Sequence, residues 1–269
     1  MRHAVRWILG GAMLIGAGGA DPAGAEPGAP PPGMVRVDAG TYTPMFDVEG
    51  AQEIPAFYLD ERPVTNREYL EFVTAVPEWR RSRVPPLFAD EGYLAGWVSD
   101  LEPGGAPNAP VVTVSWFASR AYCEWVGKRL PTLAEWERTA VASETEPDGR
   151  ELPAFHQRIL DWYGQPTPST LAEVKSTFRN YWGAWDMHGL VWEWVADFNT
   201  ALVTGESRGD AGLDRGLFCG SGSVGAADFR DYAAFMRYAF RSSLQGRYTV
   251  RNLGFRGARD VVPEEQGGK

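Results

Sequence analysis

Chemistry has few places to reside in this chain. Cysteine occurs only at Cys123 and Cys219, and histidine only at His3, His156 and His188. Two thiols cannot complete a Cys-based zinc or iron–sulfur centre. A two-His-one-carboxylate iron site would consume both His156 and His188. Met187, Met236 and Cys219 are the remaining soft donors, of a type that cores also use for packing. Polar residues gather in two runs. One is Tyr232–Ser243, which carries Arg237, Arg241 and Ser242, followed by Asn252-Leu-Gly-Phe-Arg256. The other is Asp186-Met-His-Gly-Leu-Val-Trp-Glu193, with a carboxylate at each end and His188 inside, where a lone loop histidine is more often a hydrogen-bonding residue than a ligand. Gly220-Ser-Gly-Ser223 has no following Lys and no clear helix, so it reads as turn and strand, not as a phosphate loop. No nucleophile elbow or internal repeat is present.

The elements that position these runs carry local signals. Met34-Val-Arg-Val-Asp38, Thr41-Tyr-Thr43 and Ala56-Phe-Tyr-Leu-Asp60 read as strands. Thr65-Asn-Arg-Glu68 is a capping box opening a helix to about Val76. Ser115 caps a helix from Trp116 to about Val126 that stops at Gly127, and Thr132-Leu-Ala-Glu135 opens a third to about Ala142. Thr145–Gly149 reads as a surface turn, with a short helix expected near Leu171–Lys175. Beyond that the chain is Gly-, Asp- and aromatic-rich, with few helical runs.

The chain has 269 residues, 44% of them hydrophobic, with 11 Trp, which suits one large globular domain. Its 31 Gly and 20 Pro favour turns over a helical bundle. Arg2 and Arg6 precede an apolar run from Trp7 to Ala20, then Ala23-Gly-Ala25, the order of a secretory signal. That run of 14 residues is shorter than the roughly 20 a spanning helix needs. The expected organisation is a signal peptide over 1–25, a Pro-rich linker over 26–33, a domain over 34–262 and a tail over 263–269. The net charge of −9 repels nucleic acid and anionic lipid, leaving protein or small-molecule partners. A soluble periplasmic or secreted protein without a membrane anchor is expected.

Gly127-Lys-Arg-Leu-Pro-Thr-Leu-Ala-Glu-Trp136, Asp186–Trp194, Tyr232–Ser243 and Asn252–Arg256 occur together, in this order. The stretch from Met34 to Asp260 resembles the formylglycine-generating enzyme, or sulfatase-modifying factor, family. The resemblance implies an irregular α+β fold related to C-type lectins, with small antiparallel sheets, few helices and much ordered loop. In that family two cysteines five residues apart bind copper(I) and activate oxygen. Counting back from Arg241-Ser242 puts Ala233 and Tyr238 at those positions, so copper is not expected there and formylglycine formation is not implied. Arg237, Arg241, Ser242, Asn252 and Arg256 match polar positions around the family's substrate cleft. With the expected signal peptide removed only His156 and His188 remain, too few for the three-His iron site of related sulfoxide synthases.

The family also has a calcium loop that matches Asp186, Gly189, Val191 and Glu193, the acids through carboxylates and the other two through carbonyls. Calcium takes about six to eight oxygens, and a short loop with two acids and a glycine can wrap it. The competing reading is a buried Glu193 paired with an arginine such as Arg256. A second family calcium site has no counterpart in Phe178–Gly183. The family's helix cysteine, at Cys123, pairs with a residue that here is Gly257, so a bridge moved to Cys219 is the implied alternative. Asp197–Glu206, Leu217–Ser223 and Tyr232–Ser243 resemble exported family members encoded beside copper nitrite reductases. That implies a periplasmic accessory or maturation protein with a protein partner, possible alternatives being an oxidase with altered chemistry, as in the pyoverdine-maturation branch, and a lectin-like peptide- or glycan-binding module.

Overall fold

The computed structural model describes residues 29–43, 51–199 and 229–261. In chain order its elements are β1 (Met34–Val37), β2 (Gly40–Tyr42), β3 (Gln52–Ile54), β4 (Phe57–Asp60), α1 (Asn66–Ala75), a 3-10 turn (Pro77–Trp79), α2 (Trp116–Trp125), α3 (Leu133–Ala140), α4 (Pro153–Tyr163), β5 (Trp192–Trp194), α5 (Phe229–Ser242), β6 (Leu253–Phe255) and β7 (Ala258–Asp260). β1, β4 and β7 form an antiparallel sheet, with Val37 opposite Phe57 and Leu59 opposite Ala258. β2 and β3 make a separate antiparallel pair. β5 and β6 run parallel, with Glu193 opposite Gly254.

Both capping boxes form: Thr65 and Glu68 satisfy each other's free amides at the start of α1, and Thr132 and Glu135 do so at α3. Ser115 caps α2 by accepting from the Ala118 amide. Two helices depart from expectation. α4 begins at Pro153 with no side-chain cap, because Leu152 has no oxygen to offer. α5 is a 14-residue helix where few helical runs were expected. Its inward stripe of Ala233, Arg237, Arg241 and, past its end, Leu244 is half charged, so an apolar periodicity does not reveal it. The short helix expected at 171–175 is absent; that stretch is irregular.

One hydrophobic core joins these pieces, built from β1 and β4, the inner faces of α1, α2 and α3, and β5 and β6. Tyr69, Phe72, Tyr122 and Phe255 pack edge-to-face or stacked at its centre, with ring centroids 5.3 to 6.2 Å apart. Gly254 allows β6 to enter this core, since a Cβ there would stand 2.6 Å from the Val111 carbonyl oxygen. No helix among the described residues is long and apolar enough to cross a membrane.

Candidate functional site

The site is built where α3, α4 and α5 meet the β5–β6 pair. Arg129 grips Glu135 with two guanidinium nitrogens at 2.7 and 2.6 Å, anchoring the first turn of α3. Two residues on, Glu137 is 1% exposed. Arg237 and Arg241, four residues apart on one face of α5, converge on it. Arg237 donates to Glu137 through Nε at 3.0 Å and Nη2 at 2.7 Å, and Arg241 donates through Nη1 at 2.6 Å. Arg237 Nη1 also reaches the Tyr163 hydroxyl of α4 at 3.3 Å, and the Arg241 guanidinium lies 4.4 Å from the Trp136 ring centre. Burial pushes the Glu137 carboxyl up, but the two guanidinium charges outweigh it and hold it down at about 2.

A second buried pair lies one residue along α3. Trp136 Nε1 donates to Glu193 Oε2 at 2.7 Å, and Arg256 holds Glu193 bidentately at 2.8 Å on each side. The parallel register sets this up, because Glu193 faces Gly254 and Arg256 follows two residues later. Arg256 and Glu193 side chains are both 0% exposed. His188 Nε2 donates to the Ala140 carbonyl at 2.9 Å, so that nitrogen carries the proton. Burial, followed by the Arg237 charge, lowers its pKa to about 3, so the ring is neutral.

Ala233 and Tyr238, the positions matched to the family's copper ligands, are both buried on α5. Ala233 packs with Phe155 and Ile159 and lines a cavity of about 100 Å³ shared with Tyr42, Glu137, His156 and Arg237. Tyr238 is joined to Tyr42 by a 2.7 Å bond between hydroxyls. Burial, then the Glu137 charge, raises the Tyr42 phenol pKa. The only cysteine among the described residues, Cys123, is a free and fully buried thiol on α2. The charges acting on it are those of Asp60, Lys128 and Glu124, none of which belongs to the Glu137 cluster. Its expected partner Cys219 lies outside the described residues, as do residues 1–28 and the Gly220–Ser223 turn.

The polar residues expected around a cleft are mostly structural. Arg237, Arg241 and Arg256 all turn inward onto buried glutamates. Ser242 Oγ donates to the Ala239 carbonyl within α5, and the Asn252 carbonyl accepts from the Trp192 amide. Of the expected calcium ligands, Asp186 accepts from the Thr177 amide and hydroxyl at 2.9 and 2.8 Å and from the Lys175 amide. Gly189 (φ +100°) and Val191 complete the loop. A calcium ion at these ligands would stand against the Arg256 guanidinium, whose donors occupy both Glu193 oxygens. The arrangement fits an ion pair better than a calcium cage. Glu137, Tyr42 and Tyr163 were not singled out in the sequence. The available signal was the position of Glu137 beside Trp136 and three residues before Ala140 on a capped helix.

Small antiparallel sheets, five helices among the described residues and long ordered connections define an α+β protein with the formylglycine-generating-enzyme fold. The family described as "Sulfatase-modifying factor enzyme 1-like domain" matches residues 20–261, and the chain belongs to it. It is 30% identical to the formylglycine-generating enzyme of Bos taurus, over 89% of this chain and 79% of that protein. It is 34% identical to the formylglycine-generating enzyme of Streptomyces coelicolor, over 76% and 78% respectively. An "Inactive C-alpha-formylglycine-generating enzyme 2" from Bos taurus matches at 30% identity over 53% of this chain and 60% of its own length. Among solved structures, PvdO from Pseudomonas aeruginosa aligns with a TM-score of 0.48 and 20% identity, covering 85% of this chain and 94% of that one.

Proposed function

We propose that this chain is a family member that does not make formylglycine and serves as an exported accessory protein, binding a partner protein. The observation that carries the reading is the inward face of α5. It presents guanidinium groups, a phenol and a methyl to the site, joined to Glu137 and Tyr42. Copper(I) prefers thiolate or thioether donors. The chain has two cysteines, and one of them is buried on α2 beside Asp60 and Lys128, so a thiolate pair cannot form at α5. That one relative carries the printed name "inactive" is in keeping with this reading.

Export rests on the basic–apolar–small order of residues 1–25. The resemblance to exported proteins encoded beside copper nitrite reductases narrows the proposed partner to such a copper enzyme. The surface offered to it is aromatic and not the arginine row: Tyr232 on α5 is 43% exposed, and half-buried Trp162, Tyr163, Trp192 and Phe240 form a continuous ring cluster with centroids 4.6 to 5.4 Å apart. Aromatic anchors of this kind dominate protein interfaces.

The test is co-elution of the exported protein with a purified copper nitrite reductase in size-exclusion chromatography. Complex formation that Tyr232→Glu weakens tenfold or more supports the reading. No complex at micromolar concentrations, or binding indifferent to Tyr232→Glu, rules out this partner or this surface.

A further inference from the structure

A second and larger cavity, of about 460 Å³, is bounded by the loop that carries Gly96 and Gly104–Ala106, by Thr113 and Arg251, and by the irregular stretch from Thr167 to Leu171. Its described lining includes no residue of α5 and none of the Trp162, Tyr163, Trp192 and Phe240 rings. The volume falls among those of sites that take small organic molecules, about 300–1,000 Å³.

The walls are held in conformations that need support. Thr113 is β-branched yet sits at φ +55°, and Leu94, at φ +49°, donates its amide to the Thr113 carbonyl at 2.9 Å. Left-handed backbone is costly for these residue types and persists where neighbouring contacts fix it, a pattern that gathers at binding sites. The Val250 carbonyl accepts the Thr113 amide at 3.1 Å, which ties this wall to the segment carrying Arg251. In the glycine loop, a Cβ at Gly104 would collide with the Gly96 carbonyl oxygen.

The polar groups left to a ligand are mostly donors. Arg251 is exposed, and its guanidinium makes no hydrogen bond or ion pair with a described residue. The amides of Gly96, Gly104, Gly105 and Ala106 donate to no described acceptor. Asn66, only 7% exposed, uses Nδ2 on the Ala106 carbonyl at 3.1 Å and keeps Oδ1 to accept from a ligand. No Asp or Glu is among the described lining residues, a local reversal of sign in a chain of net charge −9.

We infer that this cavity binds a small organic carboxylate, with Arg251 as its counter-ion. One guanidinium balances one negative charge, so a monoanion fits better than a phosphate dianion, and the guanidinium fork matches two coplanar oxygens. The loop amides meet further acceptors on the ligand, Asn66 meets a hydroxyl or amide donor, and Ala106, Pro110 and Leu171 cover its carbon frame. The inference does not rest on the accessory reading, whose surface lies on other residues, and either can fail alone.

The experiment measures binding to the full chain by saturation-transfer NMR. The probes are lactate, gluconate and N-acetylglycine, each beside its uncharged amide, and methyl phosphate. At least one of the three acids is expected to bind about tenfold more tightly than its amide and than methyl phosphate. Arg251→Gln removes an exposed charge and should weaken that acid about tenfold or more, with Tm unchanged. Gly96→Leu adds a side chain at a lining position where a Cβ meets nothing within 4 Å, and should block the same acid. No binding of any of the three acids at millimolar concentration, equal binding of acids and amides, a preference for methyl phosphate, or binding that both variants leave intact would overturn the site.

Discussion

Replacing Glu137 with glutamine keeps the side-chain shape and removes the one charge that holds two buried guanidinium groups. The side chains of Arg237, Arg241 and Glu137 are 7%, 3% and 2% exposed, so solvent screening offers little relief. Removing one partner of a buried ion pair costs about 3–5 kcal/mol, because the remaining charge stays desolvated. For a domain of this size that corresponds to a fall in Tm of about 6–20 °C. Arg241→Met in the Glu137→Gln background should recover part of the loss by removing one stranded cation. The difference between wild type and Glu137→Gln has a defined pH dependence. The folded pKa of Glu137 is depressed from 4.5 to about 2, so its contribution is full above pH 4.5 and fades as the pH falls toward 2. Urea denaturation followed by tryptophan fluorescence, at unchanged m-value, measures this. A loss below about 1 kcal/mol, the range of an exposed pair, would refute the buried network.

Three further outcomes follow from the same geometry. Glu193→Gln strands Arg256 and should also cost about 3–5 kcal/mol, while excess chelator should leave the wild-type Tm within about 1 °C. A larger chelator-induced drop would restore the calcium reading, since a metal bound only by the folded state stabilises it. His188, held neutral with a pKa near 3, takes up a proton only on unfolding between pH 6.5 and 3. Stability should therefore fall as the pH is lowered through that window, by up to about 1.4 kcal/mol per pH unit, and His188→Gln should flatten the slope in urea melts at pH 4.5 to 6.5. Cys123 is fully buried, and burial pushes its thiol pKa up. Under reducing conditions the folded protein should resist alkylation there for hours, and mass-spectrometric labelling at the rate of an exposed thiol would contradict its placement.

The helices with local punctuation were legible. Thr65–Glu68, Ser115 and Thr132–Glu135 announce α1, α2 and α3 within two residues of their observed ends, because capping is a short-range hydrogen-bonding problem. α4 lacks a capping oxygen, and α5 buries arginines where an amphipathic reading demands apolar residues. The site was legible in composition but not in assembly. Arg237, Arg241 and Arg256 stand out in the sequence, yet whether they face solvent or a buried carboxylate depends on contacts a hundred residues away, as between Arg237 and Glu137. The Glu193–Arg256 pair was open as an alternative because two flanking tryptophans make an uncompensated carboxylate costly. Nothing local marks Tyr42 as the partner of Tyr238, since the two are 196 positions apart.

The central claim is that no thiolate pair exists at α5 and that the chain does not oxidise cysteine. It is tested most directly by incubating the wild-type protein, supplied with copper(I) and oxygen, with a cysteine-containing sulfatase peptide, and following the peptide mass with an active formylglycine-generating enzyme alongside. No conversion beyond a protein-free control is expected. Cysteine-to-formylglycine turnover by the wild type would contradict the account.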